Sequence, residues 1–206
     1  MFSFLHDARE PVALPLFPLR TVLFPGGVLP VKIFEQRYID MAKQCLADER
    51  PFGVCLLTQG EEVAASGERQ EFAMIGSLAR IVHWDMPQLG ILHVTTEGGA
   101  RFQVQRHHVE KSNLVVADVT MLAPEPALAL ADEYAPLARL LEIIAGKIGA
   151  ANFPAGQHYD DSSWVGYRLA EVLPLPLHIK QTMLEVSDAG VRLKVLREFL
   201  KQQQLI

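Results

Sequence analysis

Cysteine is nearly missing from this chain: Cys45 and Cys55 are the only two in 206 residues. One falls in a stretch with helical spacing and the other in an apolar run of strand character. No disulfide framework is expected, and a reducing cytoplasm is the simplest setting. Long apolar runs are missing too, and none approaches the ~18 residues of a membrane-spanning helix. The first ten residues hold His6, Asp7, Arg9 and Glu10 with no basic region ahead of an apolar core, so no secretory signal is expected. Positive charge is in deficit: Lys and Arg number 19 against 24 Asp and Glu, a formal net charge of −5. A nucleic-acid surface needs a basic patch that displaces phosphate counterions, so this balance argues against one. The one short basic cluster, Arg101 to Lys111 with Arg106, His107 and His108, reads as a solvated strand end.

Catalytic signatures are equally scarce. Neither G-x-S-x-G nor H-E-x-x-H occurs. The nearest approach to a phosphate-cradling loop is Gly146-Lys147, which lacks the upstream glycine and the following Ser or Thr and reads as a helix end. His107 and His108 are adjacent, so on a strand they point to opposite faces and cannot share an ion. His83 and His93 lie symmetrically about Gln88, where a regular hairpin would pair them. Without a third ligand, cross-strand packing is the better reading than zinc. Asp160-Asp161 sits where a helix cap is expected. No catalytic residue, metal site or cofactor is expected.

What is present is one unusual stretch, Leu14 to Tyr38, LPLFPLRTVLFPGGVLPVKIFEQRY. Arg20 is its only charge before Lys32, and Pro15, Pro18, Pro25 and Pro30 punctuate it. Prolines this dense exclude a helix and disfavour a central strand, so short edge segments or bulges are implied. Phe24-Pro25-Gly26-Gly27 is a type II turn signal that requires positive φ at Gly26. Pro15-Leu16-Phe17-Pro18 also matches a P-x-x-P ligand motif, but its flanks are so apolar that burial is the preferred reading. From Phe34 the apolar residues Tyr38, Met41, Ala42, Cys45 and Leu46 recur at helical spacing.

Beyond Pro51, Phe52 to Thr58 reads as a buried strand and Gly60 to Glu71 as an exposed polar loop. Met74 to Trp84 and Gly90 to Thr96 read as strands joined by a hairpin loop at Asp85 to Leu89, and Gly98-Gly99 as the next turn. Arg101 to Arg106 alternates with period two, and Leu114 to Leu122 is β-rich. Ala123 to Pro126 reads as a stiff linker. After it come apolar stripes at helical spacing: Leu137, Leu140, Leu141, Ile144 and Ile148; Trp164, Tyr167, Leu169 and Val172; Val191, Val195, Leu196, Phe199 and Leu200. Asp161 or Ser162 is the expected cap of the helix carrying Trp164, and Asp188 that of the last helix. These patterns predict an α+β chain: a β-rich half with one amphipathic helix over 1–123, then a bundle of about four helices over 127–206.

Three motifs in order resemble those of the Lon protease N-terminal substrate-binding domain. They are PLFPLRTVLFPGGVLPV followed by E-x-R, then Gly76-Ser77-Leu78-Ala79-Arg80-Ile81, then Glu97-Gly98-Gly99-Ala100-Arg101-Phe102. The resemblance continues into the helical half. It implies a PUA-like pseudo β-barrel before the bundle. It also implies a non-catalytic module that binds unfolded or apolar polypeptide segments, as an adaptor in protein quality control alongside a separate protease. The ATPase and Ser-Lys peptidase modules of full Lon proteases are expected to be absent. The charged members of these motifs are Arg20, Glu35, Arg37, Arg80, Glu97 and Arg101. They either line a groove or, as the cost of unpaired charge among apolar strands favours, pair internally. Phe17, Phe24, Trp84 and Met86 are the candidate apolar contacts for a client. The competing reading is a small-molecule or RNA-binding module of the PUA type.

Overall fold

The structure is a computed structural model that describes residues 11–62, 70–149, 153–154 and 156–205. Seven strands come first, with one helix among them: β1 (Val12–Leu19), β2 (Val28–Ile33), α1 (Gln36–Ala47), β3 (Phe52–Gln59), β4 (Glu71–Phe72), β5 (Ile75–Gln88), β6 (Ile91–Val109) and β7 (Val115–Met121). A short 3-10 turn, Asp132–Tyr134, leads into α2 (Ala135–Ile148), α3 (Ser162–Val172), α4 (Leu177–Glu185) and α5 (Ala189–Gln202). This is the expected α+β class. The chain divides into two compact units, Met1–Pro25 with Leu29–Pro124, and Gly26–Val28 with Glu125–Ile206.

In the first unit the sheet runs β1-β7-β6-β5-β3-β4, and β2 pairs with β6. A parallel pairing of β1 with β3 closes the path β1-β7-β6-β5-β3 on itself. The proline-rich β1 is therefore no simple edge strand. It changes partner at Leu16: Val12 to Leu16 lie against β7, and Leu16 to Leu19 against β3. Each half has one partner in register, so a proline in either half can turn its missing donor to the unpaired side. Gly26 has φ 70°, as the Pro-Gly turn requires. The P-x-x-P stretch is buried, with Leu16 and Phe17 in the core.

Side chains of β1 alternate between two apolar clusters: Phe17 and Leu19 with Tyr38, Ile39, Met41, Phe52 and Val54, and Leu14 and Leu16 with Phe102, Val104, Val115 and Val119. Residues Phe52 to Leu57 of β3 are buried without interruption, as the continuous apolar run predicts.

Two expectations fail around β5 and β6. The hairpin turn is not Asp85 to Leu89: β5 continues to Gln88, and the turn is Leu89-Gly90, with Gly90 at φ 82°. Moving the turn changes the register, so His83 lies opposite Thr95 and His93 opposite Asp85, and the two histidines do not pair. Gly98-Gly99 is not a turn either, because β6 runs through it unbroken. Gly98 is there for proximity: a Cβ at this position would lie 2.1 Å from the Phe24 carbonyl oxygen.

In the second unit, Pro136 sits in the first turn of α2, and the Asp161 and Asp188 side chains accept from the Trp164 and Val191 amides at 2.6 and 3.0 Å. The inner face of α5 is rotated from the expected one. Leu193, Leu196 and Leu200 are buried together with Arg192, while Val191 and Val195 are exposed. The buried arginine, not a stripe of valines, decides which face turns in.

Candidate functional site

The first unit carries a half-open groove of about 240 Å³, lined by one bank at Phe17, Leu19 and Thr21 and another running from Leu29 to Glu35, with Tyr38 and Glu62. Consecutive strand residues point to opposite faces. A groove that touches every residue from Leu29 to Ile33 therefore runs along the edge of β2 rather than over one face. Among the described residues β2 pairs with β6 alone. The Leu29 carbonyl accepts from Thr96 Oγ1 of β6 at 3.0 Å. Leu29, Val31 and Ile33 turn toward the core cluster, and Pro30 and Lys32 are exposed.

Tyr38, on the first turns of α1, belongs to the groove wall and is 1% exposed. Phe17 stacks on its ring at 4.0 Å, and the Arg37 guanidinium carbon lies 4.5 Å from the ring centre. The ring is thus held by its neighbours, yet its hydroxyl has no hydrogen-bond partner among the described residues. Burial, opposed by Arg37 and reinforced by Glu35 and Glu62, pushes this hydroxyl up to about 12, so it stays a proton donor at any physiological pH.

The motif charges form three separate arrangements. Glu35 pairs with Arg37 at 2.9 Å, and Arg37 also donates to the Asn113 carbonyl at 2.7 Å. Arg80 pairs with Glu97 across β5 and β6 at 2.5 Å. Arg20 turns to a residue outside the motifs, pairing with Glu61 at 3.2 Å and donating to the Gly60 carbonyl at 2.8 Å. Arg101 is buried, opposite Ser77 in register. Of the group, Glu35 alone lines the groove. Part of the polar stretch Gly60 to Glu71, residues 63–69, lies outside the described residues.

Of the apolar candidates, Phe17 lines the groove from below, while Phe24 is wholly buried and does not reach it. Trp84 is 54% exposed on β5, opposite Val94. Val82 and the turn residue Leu89, 93% exposed, add apolar surface on the same hairpin. Met86 is half-buried and packs against the core cluster. The basic cluster is broken up: Arg101 is buried, Arg106 pairs with Asp118, and the His107 ring packs at a tilt against Phe72, 4.9 Å between ring centres. Among the described residues no group of His, Cys, Asp and Glu is arranged to hold a metal ion, and no helix is long and apolar enough to cross a membrane.

Sequence reasoning missed a buried polar network in the second unit. Glu125, from the stretch expected to be a stiff linker, accepts from Ser163 Oγ at 2.7 Å, from the Tyr167 hydroxyl, and from Arg192 at 2.5 and 3.0 Å. Arg192 also donates to the Met183 and Val186 carbonyls and lies 3.8 Å from the Tyr167 ring centre. Burial would raise the Glu125 carboxyl, but the hydrogen bonds from Arg192 and Tyr167 outweigh it and hold the group below its ordinary range. Nearby Arg168 pairs with Glu171 at 3.2 Å, and burial pushes the Glu171 carboxyl up. The available signal was a lone arginine set among Leu193, Leu196 and Leu200, which needs a buried anion.

Residues 13–202 match the model of the ATP-dependent protease La (LON) substrate-binding domain. Across 95% of this chain, a Lon protease of Anaeromyxobacter dehalogenans is 27% identical and Lon protease 2 of Myxococcus xanthus is 29% identical, each matched over 24% of its own length. The chain thus spans about a quarter of the curated relatives it matches. A solved Lon N-terminal domain protein from Xanthomonas campestris is 34% identical, with 91% of this chain and 98% of that one covered at a TM-score of 0.73. The N-terminal domain of a Mycobacterium avium complex Lon protease, 19% identical with a TM-score of 0.61, shares the fold.

Proposed function

The chain belongs to the LON substrate-binding domain family, and from that premise we propose that it is a non-catalytic recognition module for unfolded or apolar polypeptide segments. It works alongside a protease, as an adaptor in cytoplasmic quality control. The observation that carries this reading is the groove on the β2 edge, where an apolar wall meets a strand edge that has no partner among the described residues. Its size supports a stretch of chain over a small molecule, since about 240 Å³ falls short of the ~300–1,000 Å³ typical of small-molecule pockets. The division of the basic cluster weighs in the same way against an RNA-binding reading. The exposed hairpin around Trp84 supplies a second apolar contact, tolerant of varied sequence because a flat aromatic needs no defined partner.

The test is equilibrium binding of a fluorescent, permanently unfolded polypeptide, such as reduced and carboxymethylated α-lactalbumin, against the same protein in its folded form. The unfolded form is expected to bind and the folded form not to. Trp84→Ala is expected to weaken capture by about 1–3 kcal/mol if the hairpin is a binding anchor. Equal affinity for both forms, or preference for an RNA oligonucleotide, refutes the reading.

A further inference from the structure

Resting on the polypeptide-binding reading, we infer that the client binds as an added β-strand along β2, held through its own backbone, with the Tyr38 hydroxyl donating to it. Three independent observations converge on this edge. First, β2 has one strand partner among the described residues. Because the Leu29 carbonyl faces β6, strand alternation turns the backbone groups of Pro30 and Lys32 the other way. Pro30 brings no N–H, so the free edge offers the Lys32 N–H and the carbonyls of Pro30 and Lys32. Second, the opposite bank is β1 beyond Leu16, where β1 has left β7 and, among the described residues, pairs with β3 alone. The groove therefore separates two strand segments, each with one side unpaired among the described residues, an arrangement that suits an extended chain. Third, Tyr38 is a buried donor without a partner among the described residues, fixed by Phe17 and Arg37, in the wall of that same groove. A buried donor without an acceptor is costly, and a client carbonyl is the acceptor an extended backbone supplies.

The occupant is thereby specified. It is an extended segment with small or medium apolar side chains at alternate positions, which fill the apolar space beside Leu19, Leu29 and Val31. The rim residue Glu62 favours a basic residue in the alternation over an acidic one, the Glu35 carboxylate being paired with Arg37. Proline in the client is excluded wherever its nitrogen would face Lys32.

The probe is a fluorescein-labelled peptide of about eight residues, long enough to run along β2 at ~3.3 Å per residue. Valine and leucine alternate with serine and lysine. Two further versions carry N-methyl groups on one or the other alternate set of backbone nitrogens. One methylated version is expected to lose at least about tenfold in affinity and the other little, because only one set faces the strand it pairs with. Hydrogen exchange at the Lys32 amide is expected to slow when the parent peptide binds. Tyr38→Phe is expected to weaken binding about five- to tenfold, the usual worth of one hydrogen bond, while leaving the melting temperature unchanged or higher, since it removes an unsatisfied buried hydroxyl. If all three peptides bind alike and Lys32 exchange is unaltered, strand addition is wrong although the polypeptide reading stands. If the parent peptide binds no better than a scrambled acidic one, both fall. If the free edge is occupied by a second copy of the chain, the protein doubles in mass with Lys32 protected before peptide is added, and the inference is overturned.

Discussion

Arg192 carries the largest single-residue cost expected in the molecule. Its guanidinium joins groups from α4 and its C-terminal cap at Met183 and Val186, from α3 at Tyr167 and from the chain before α2 at Glu125, with no exposed surface of its own. Arg192→Met keeps the volume and removes the charge, leaving the Glu125 carboxylate buried without its cation. The expected loss is about 3–5 kcal/mol, read from urea unfolding at pH 7. The same carboxylate sets an acid dependence. Its folded value lies below its unfolded one, so its stabilisation is complete above the ordinary carboxylate range and is lost as the pH falls through the folded value. Glu171 runs the opposite way: burial raises it, so ionisation works against the folded state and the strain is relieved in acid. Unfolding midpoints measured from pH 7 down to pH ~3 are therefore expected to fall more steeply for the native chain than for Glu125→Gln. A parallel decline would mean that Glu125 is not the group that titrates. Gly98 makes a steric prediction of the same size. An alanine there must push against the Phe24 carbonyl at 2.1 Å, and Gly98→Ala is expected to cost several kcal/mol, on the order of 3, by thermal unfolding.

At the level of elements, α1, β3, β7 and the helix caps at Asp161 and Asp188 were readable because each rests on a local rule: period, apolar continuity, or a side-chain oxygen ahead of a helix. The hairpin was misplaced because Pro87 reads as a breaker, yet a proline can sit in a strand where its ladder bond is not needed, and Leu89-Gly90 supplies the turn. Gly98-Gly99 misled for a related reason, since a glycine required by close approach has the same letter as one required by a turn. The candidate site was only half legible. Phe17 and Glu35 were named among its residues, but nothing local marks Tyr38 as more than an apolar member of α1. Its unpaired hydroxyl is a property of the surroundings that the fold creates. The hairpin also separates two substitutions that the sequence treats alike. Trp84→Ala is expected to change stability by less than ~0.5 kcal/mol because the ring is largely exposed, whereas Met86→Ser is expected to cost about 1–2 kcal/mol because it packs on the core cluster. Guanidinium unfolding of both variants decides this, and equal losses would show that Trp84 is also core.

For the molecule as a whole, the absence of any recognised phosphate loop or nucleophile motif in the sequence leads to one further expectation. The purified chain hydrolyses neither ATP nor casein, and turnover that stays with the folded protein through several columns would refute the non-catalytic reading. The closing of the strand circuit carries a different consequence, one of timing. Leu16 lies beside Val115, so the first of the described strands to be made has to wait for the last. At ~5–20 residues per second, the intervening roughly 100 residues take about 5–20 s to synthesise. During that interval the first half of β1, Val12 to Leu16, is out of the ribosome with no β7 to pair with, while the second half, Leu16 to Leu19, already has β3.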